Sequence, residues 1–319
     1  MIPSEKRVHF VYVSSDKLRT LEEEFSEGVS GELPGWESSS SILKTRPDAV
    51  NVTFFIYRRA HIMMSHGVAD KNYLSRMDPK GGYEINKYHY VCVPGEWLKK
   101  KLLSTPGVEL NADQIRIVGW PRLDALLKAD KKRRDLPQDA LPSKKRKVLW
   151  APTHAGGSDR DYAISSYPGM LAYEDRLARE FQYTASLHPN LREGGKPTFE
   201  ALVEADIVIA DRGTMVYEAW ALGKPVIFPS WLIGEGNRRY DLGSAEQHIF
   251  ENNIGFHANS IDELIDMAES VEGIGSGVEE FIGSYISKDS LGKSYSLISE
   301  VVREVYQSGK MKIKPKVKI

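Results

Sequence analysis

A polar turn lies between an apolar run and a helix-like run in the stretch ADIVIADRGTMVYEAW, residues 205–220. Gly213 permits a positive φ, and Arg212 and Thr214 flank it. The N–H groups at a helix start, together with the positive end of the helix dipole, can bind a diphosphate. Glu218 lies four residues after Thr214, on the same helix face, where a carboxylate could meet the ribose of a nucleotide. An ordinary turn with a threonine cap and a solvated glutamate fits the same residues.

A histidine that could act as a base occurs in the stretch MMSHGVADKNY, residues 63–73. His66 precedes Gly67, and a histidine on a glycine-containing loop can accept a proton near neutral pH. Lys71 follows closely and could neutralise a phosphate. A loop histidine with no chemical role is the alternative interpretation.

Three more apolar runs end in polar side chains. Thr153 and His154 follow one run, His188 follows a second, and Arg122 follows a third. In an open α/β sheet, ligands bind outside the carboxyl ends of the strands. Together with the turn at Gly213, these strand ends favour a binding site over a chance distribution of polar residues.

Several classes of site are disfavoured. No His-x-x-x-His pair, paired aspartates or cysteine cluster accompanies these residues, so we expect no metal site. A Walker lysine loop, a G-x-G-x-x-G fingerprint and a G-x-S-x-G elbow are also missing from the sequence. Cys92 lies in the apolar run YVCV, where a buried structural thiol is the expected role.

Length and composition indicate a globular protein of two domains. The chain has 319 residues, with 41% hydrophobic and 27% charged residues and a net charge of -1. This balance argues against binding nucleic acid through overall charge, although a local basic patch remains compatible with it. Apolar runs stay shorter than the roughly 18 residues of a membrane span. The first residues, MIPSEKR, contain no apolar signal region, so we expect a cytoplasmic protein, with peripheral membrane contact as an alternative.

Short apolar runs alternate with helix-like patterns, which predicts an α/β class. The runs are nearly continuous rather than alternating, as expected for parallel strands covered by helices on both faces. Apolar residues spaced on one helix face predict a last helix over 294–306. The predicted strands are 8–13, 52–56, 90–93, 115–118, 147–150, 183–187, 207–210 and 226–228.

Three polar stretches interrupt this pattern. Residues 24–47 hold glycines and a run of four serines and are predicted to form a loop. Residues 128–147 are rich in lysine and arginine and are predicted to form a solvated linker between domains, with a nucleic-acid or nuclear signal as the weaker alternative. The tail 311–319 alternates charged and apolar residues, which predicts a frayed end or a contact with an anionic surface.

The order and spacing of these motifs over about residues 60–260 resemble the CDP-glycerol glycerophosphotransferase family of teichoic-acid synthesis. The resemblance implies an α/β protein of GT-B fold, with two Rossmann-like domains and an interdomain cleft. We predict an acceptor-side domain over 1–140, a nucleotide-donor domain over 141–285, and, over 286–319, a helix that packs back on the first domain plus a basic tail. The motifs are His66-Gly67, Gly119-Trp-Pro-Arg-Leu-Asp124, Trp150-Ala-Pro-Thr153, His188-Pro189, Asp211-Arg-Gly-Thr214 with Glu218, and Lys224-Pro225.

The resemblance also implies a metal-independent transfer that uses a nucleotide-activated donor as substrate and no cofactor. Glycerol phosphate or a sugar would pass from a CDP- or UDP-linked donor to a hydroxyl of a polymer or glycolipid. His66 would be the base, and Glu218 would lie near the ribose. Donor contacts would come from His188, Arg212, Gly213, Thr214 and Thr153, and phosphate or acceptor contacts from Lys71, Arg122 and His154.

Two other functions remain open. A phage-type glycosyltransferase acting on modified DNA bases would use the basic segment 131–147. A GT-B nucleotide-sugar 2-epimerase would need carboxylates to ionise the sugar at its anomeric centre. The candidate groups here are histidines, which favours transfer. The sequence makes no prediction of the oligomeric state.

Overall fold

The computed structural model describes residues 5–14, 16–70, 72–78, 81–135, 145–153, 165–187, 198–233 and 243–314. The chain divides into two compact units. Unit 1 consists of Met1–Val68, Asn72–Asp124 and Gly283–Ile319, and unit 2 of Ala69–Lys71 and Ala125–Ile282. The sequence-based domain bounds at 140 and 285 stay a prediction.

From residue 90 to residue 270 the strands and helices alternate along the chain, as the sequence pattern predicts. The strands are β1 (Arg7–Tyr12), β2 (Glu37–Ile42), β3 (Val50–Thr53), β4 (Ile62–Met64), β5 (Tyr90–Val93), β6 (Ile115–Ile117), β7 (Lys147–Trp150), β8 (Gln182–Ala185), β9 (Ile207–Ile209), β10 (Val226–Pro229) and β11 (Phe256–Ala258). The α-helices are α1 (Asp16–Gly31), α2 (Glu96–Ser104), α3 (Pro121–Arg134), α4 (Glu174–Glu180), α5 (Thr198–Glu204), α6 (Thr214–Ala221), α7 (Ala245–Glu251), α8 (Ile261–Ser270), α9 (Val278–Tyr285) and α10 (Ser294–Gln307).

Each unit is built on a parallel sheet. In unit 1 the strand order is β2-β1-β3-β4-β5-β6, and in unit 2 it is β11-β10-β9-β7-β8. All of these strand pairs are parallel. Two such sheets with interspersed helices confirm the prediction of an α/β fold with two Rossmann-like domains.

Large buried side chains fill the core beside each sheet. In unit 1 the ring of Phe54 stacks on Phe10 with centroids 6.2 Å apart, and Phe25 of α1 meets Phe54 edge-on at 5.4 Å. In unit 2 the fully buried Trp150 packs in one cluster with Ile209 and residues of α8. These cores explain the nearly continuous apolar runs, because the strands are covered by helices.

The structure corrects two predictions about polar stretches. Residues 24–47 are not one loop, because α1 extends to Gly31 and the serine run forms the edge strand β2. Residues 128–147 are not one solvated linker, because α3 continues to Arg134 and Asp130 within it is buried. The helix predicted over 294–306 is confirmed as α10.

The serines of β2 are stabilised by polar contacts rather than by burial. The ring nitrogens of His9 lie 2.9 Å from the hydroxyls of both Ser39 and Ser41, and the Ser30 and Ser38 hydroxyls are 2.8 Å apart. A strand held in this way carries no apolar signal in its sequence. Among the described residues, no helix combines the length and apolar character needed to cross a membrane.

Candidate donor and acceptor sites at two sheet edges

In the sheet of unit 2, the order in which the chain adds strands reverses between β7 and β9. After β7 the chain forms β8 on one side and then returns to form β9 on the other. Such a switch point opens a crevice at the carboxyl ends of the two strands, where α/β proteins bind ligands. Trp150 and Ile209 are register partners, so residues 151–153 and 210–213 leave the sheet side by side.

A buried carboxylate joins these two strand ends. Asp211 is fully buried, and its Oδ2 accepts hydrogen bonds from the backbone N–H of Thr153 at 3.0 Å and from the Ser165 hydroxyl at 3.2 Å. The Ser165 hydroxyl also lies 2.7 Å from the carbonyl oxygen of Thr153. Burial raises the pKa of Asp211, although hydrogen bonds from Ser166, Thr153 and Ser165 oppose this shift. Asp211 therefore fixes the geometry of the crevice.

The turn after β9 begins α6 in a way that the sequence predicted only in part. Gly213 is the N-cap residue of α6. Its φ of 97° is a backbone conformation that residues other than glycine rarely adopt. Thr214 is the first helical residue, so the predicted threonine cap is wrong. With Gly213 as cap, the first N–H groups of α6 follow directly on the strand end, and such groups have no acceptor within the helix itself.

Two further charged groups of this segment are buried in unit 2. Arg212 is 6% exposed, and its Cζ lies 5.6 Å from the ring centroid of Phe250. Glu218 is 0% exposed, so the alternative of a solvated glutamate is wrong. A charge is costly to bury unless other groups compensate it, so the two side chains are expected to lie among polar or charged partners.

Lys224, which belongs to the motif series, has a structural role in unit 2. Its Nζ donates to the carbonyl oxygens of Val203 at 3.0 Å and Ala205 at 2.6 Å, at the end of α5. The carboxylate of Asp130 lies 3.7 Å away. Burial lowers the pKa of Lys224 to about 8. The lysine thus joins α5 to α3 and supports the strand that follows it.

His66 lies in unit 1, two residues after β4. Its ring stacks on Phe55 with centroids 4.2 Å apart and planes 13° apart, and Tyr73 meets it edge-on at 5.1 Å. The backbone N–H of Ile56 donates to the Tyr73 hydroxyl at 2.8 Å, which fixes that tyrosine. The two aromatic rings hold the imidazole in one orientation at the carboxyl edge of the sheet, as a positioned base requires.

The segment Gly119–Asp124 has a structural role as well. Gly119 has φ 76°, and a Cβ there would come within 2.4 Å of the Ser290 hydroxyl. The Asp124 carboxylate accepts from the backbone N–H groups of Gly292 at 2.7 Å and Ser294 at 2.8 Å, at the start of α10. Arg122, half-buried in the first turn of α3, stays a predicted phosphate contact.

Three predicted site residues, Lys71, His154 and His188, lie outside the described residues. Ser165 was missed by sequence reasoning, since it lies in a stretch without a strand or helix pattern and approaches Asp211 only in the fold. Among the described residues, no group of three or more histidine, cysteine, aspartate or glutamate side chains could hold a metal ion. A metal-independent reaction stays a prediction. Burial raises the pKa of Cys92 to about 12, consistent with a structural thiol.

Comparison with known proteins places the chain beside transferases of teichoic-acid synthesis. It is 23% identical over 188 residues to the teichoic acid glycerol-phosphate primase of Bacillus spizizenii (strain ATCC 23059 / NRRL B-14472 / W23). That match covers 54% of this chain and 48% of the primase, so the chain spans about half of its curated relative. No protein-family model matches the chain.

Solved structures of the wall teichoic acid polymerase TagF share the fold over nearly the whole chain. A histidine-to-alanine variant has a TM-score of 0.60 and 15% identity, and the match covers 97% of this chain and 91% of that one. A histidine-to-asparagine variant soaked with CDPG has a TM-score of 0.59 and 14% identity, with 97% and 90% covered. These similarities confirm the predicted resemblance and the GT-B fold.

Proposed function

We propose that the chain is a GT-B transferase that moves glycerol phosphate, or a sugar, from a CDP- or UDP-linked donor to a hydroxyl of a polymer or glycolipid. The observation that carries the proposal is the buried Asp211 clamp, which fixes the ends of β7 and β9 beside the Gly213 turn. Similarity to a glycerol-phosphate primase supports glycerol phosphate as the transferred group. The CDPG soak of the polymerase supports a cytidine donor.

In the proposed reaction, unit 2 binds the donor diphosphate. The start of α6 offers N–H groups and the positive end of the helix dipole, and Arg212 adds a fixed positive charge. Negative charge grows on the leaving phosphate as the bond to the transferred group breaks. Preorganised donors stabilise that charge more than the ground state, which lowers the barrier. Thr153 and Glu218 are proposed to contact the nucleotide.

His66 is proposed to accept the proton of the attacking hydroxyl. For glycerol phosphate transfer, the acceptor oxygen forms a bond to phosphorus, and CMP leaves with the electron pair of the bridging P–O bond. The proton passes from the hydroxyl to the imidazole, so that atoms and charge balance. Stacking on Phe55 supports this role because it limits the orientations of the ring.

Product analysis tests the proposal. The protein is incubated with CDP-glycerol or a UDP-sugar, with and without a glycerol-phosphate oligomer, and the products are separated by mass spectrometry. We expect CMP from CDP-glycerol, or UDP from a UDP-sugar, together with an acceptor longer by one unit, formed only when both substrates are present. An epimer formed from the UDP-sugar without acceptor would identify an epimerase, and label transfer only to DNA carrying modified bases would identify a DNA glycosyltransferase. Either result would contradict the proposal.

A further inference from the structure

The sheet of unit 1 has its own switch point, between β1 and β3. The chain passes from β1 to β2 on one side and then to β3 on the other, so a crevice opens at the carboxyl ends of β1 and β3. The segment that follows β1 contains Val13, and the turn that follows β3 contains Phe55 and Arg58. The polar side chains at this edge belong to none of the sequence motifs, the first of which is His66-Gly67.

Glu22 of α1 points its carboxyl to this edge. Its side chain is 1% exposed, and its Oε1 accepts the backbone N–H of Val13 at 2.9 Å. Among the described residues, its Oε2 has no hydrogen-bond partner. The Ser26 hydroxyl donates to the Glu22 carbonyl at 2.6 Å and accepts from Tyr12 at 2.8 Å, which fixes this part of α1 against β1.

Two arginines accompany this carboxyl. Arg19 Nη2 lies 3.4 Å from the carbonyl oxygen of Val13, and the positive charges of Arg19 and Arg58 act on Glu22. Within the described part of the chain, Nε of Arg19 and Nε of Arg58 are buried without hydrogen-bond partners. Burial nevertheless raises the pKa of Glu22 to about 7, against the effect of both arginines. Buried polar atoms left unsatisfied at a switch point indicate that a ligand supplies the missing contacts.

We propose that Glu22, Arg19 and Arg58 form a subsite for a phosphodiester-linked polyol. A hydroxyl of the ligand donates to Oε2 of Glu22, and the phosphodiester accepts from the two guanidinium groups. This inference rests on the proposed function, in which such a polyol is the acceptor. Glycerol phosphate polymers have this chemistry, since each unit carries a phosphodiester next to a hydroxyl.

The subsite lies near the predicted base in the same sheet. β3 lies between β1 and β4, and neighbouring strands are about 4.8 Å apart, so the ends of β1 and β4 are separated by roughly 10 Å. Phe55, in the same turn as Arg58, stacks on His66. A unit of the acceptor held at Glu22 would therefore leave the next unit within reach of the imidazole.

Titration calorimetry with sn-glycero-3-phosphoglycerol tests the subsite. This phosphodiester keeps one negative charge between pH 5.5 and 8.5, so a pH profile reports the protein, where Glu22 faces Arg19, Arg58, Glu23 and the Tyr12 hydroxyl. We expect Glu22→Gln and Arg58→Ala each to weaken binding about tenfold, and Glu22→Gln to remove the pH dependence near 7. Glu23→Gln and Arg59→Ala, on exposed neighbours, are the matched controls and should bind as wild type.

The outcomes separate this inference from the proposed function. Dimethyl phosphate, which lacks the hydroxyl, should bind equally to wild type and Glu22→Gln but less well to Arg58→Ala. Equal affinity of wild type, Glu22→Gln and Arg58→Ala for the polyol would overturn the subsite, even where CDP-glycerol binds normally. Glu22-dependent binding of the polyol in a protein that binds no nucleotide-linked donor would support the subsite and contradict the transferase proposal.

Discussion

The two sheets place a buried carboxyl at the same topological position and use it differently. In unit 2, Asp211 follows β9 and accepts hydrogen bonds from the loop after β7, so it joins two neighbouring strand ends. In unit 1, Glu22 comes from α1 and accepts one N–H from the end of β1. Oδ2 of Asp211 receives two donors from the protein, whereas the carboxyl of Glu22 receives one backbone N–H and lies near two arginines.

The edge of the unit 2 sheet at Asp211, called the fixed edge, therefore differs from the edge of the unit 1 sheet at Glu22, called the adaptable edge. Hydrogen bonds oppose the rise of the Asp211 pKa, and they hold the crevice in one shape before a ligand arrives. Preorganisation of this kind suits the stabilisation of charge on a leaving phosphate. Burial raises the pKa of Glu22 to about 7, so its carboxyl can be protonated or ionised near neutral pH. This difference supports the proposed donor site at the Asp211 edge and the proposed acceptor subsite at the Glu22 edge.

Replacement of the predicted base gives the largest expected effect. We expect His66→Ala to reduce turnover by about a hundredfold or more, the usual contribution of general-base catalysis, and to leave donor affinity unchanged. Steady-state rates and calorimetry with CDP-glycerol measure the two quantities. His89→Ala, which removes a histidine preceding β5 at the opposite edge of the same sheet, is the control. Turnover near the wild-type rate in folded His66→Ala protein would place the base elsewhere.

Removal of the Asp211 clamp should mainly reduce stability. Asp211→Ala leaves the backbone N–H of Thr153 without its buried acceptor and breaks the link to Ser165, whose hydroxyl keeps the Thr153 carbonyl oxygen as acceptor. The loss of the buried carboxylate should cost about 3 kcal/mol of unfolding free energy. Asp211→Asn keeps an acceptor oxygen and should lose less. Urea unfolding of both variants measures the difference. If the two variants match wild type, the crevice is not held by this carboxyl.

The ionisation of Glu22 should make the unfolding free energy depend on pH. Folded Glu22 keeps its proton up to a pKa of about 7, whereas the unfolded chain releases it near 4.5. The folded state therefore binds more protons between these values, and this group lowers the unfolding free energy as pH rises from 4.5 to about 7. Glu22→Gln should remove this decline, which is worth about 3 kcal/mol, relative to Glu23→Gln. Parallel pH curves for the two variants would contradict the assignment.

The smallest expected effect concerns the turn at Gly213 and the start of α6, where the donor is proposed to bind. Thr214→Ala and Glu218→Gln should each weaken nucleotide binding by about 1 kcal/mol, the scale of a lost hydrogen bond. Calorimetry with CDP-glycerol measures the loss, and turnover at saturating donor should change less than affinity does. Donor affinity unchanged in both variants would refute the assignment of this turn.

Most of the apolar strands were predictable, and the polar strand β2 was not. β5 and β7 match the predicted ranges at both ends, because four residues in succession are buried in β5 and three in β7. β2 was not predicted because its serine hydroxyls form hydrogen bonds with His9 and Ser30 instead of packing in a core. β4 and β11, with three residues each, were not predicted, whereas the equally short β6 and β9 were, because Val118 and Ala210 extend their apolar runs.

The candidate site was predictable where motifs follow strands directly. The turn at Gly213 was located from its strand, glycine and helix pattern, but its cap was assigned to the wrong residue because glycine and threonine both fit that position. Glu22 could not be found, since one glutamate in the run EEE differs from its neighbours only through burial. Asp124 and Lys224 were identified as motif residues, and only their contacts reveal the structural roles.

The division of unit 1 into separate chain segments has a consequence for synthesis on the ribosome. Asp124 caps a helix that begins at residue 294, Ser299 donates to the Val29 carbonyl, and the Tyr285 hydroxyl donates to the Val68 carbonyl. Unit 1 therefore cannot complete its fold until the last helix, α10, has been synthesised. Residues 125–282 of unit 2 are contiguous and emerge earlier than that helix. Although domains generally fold in N-to-C order during translation, here the second unit should acquire protease resistance first.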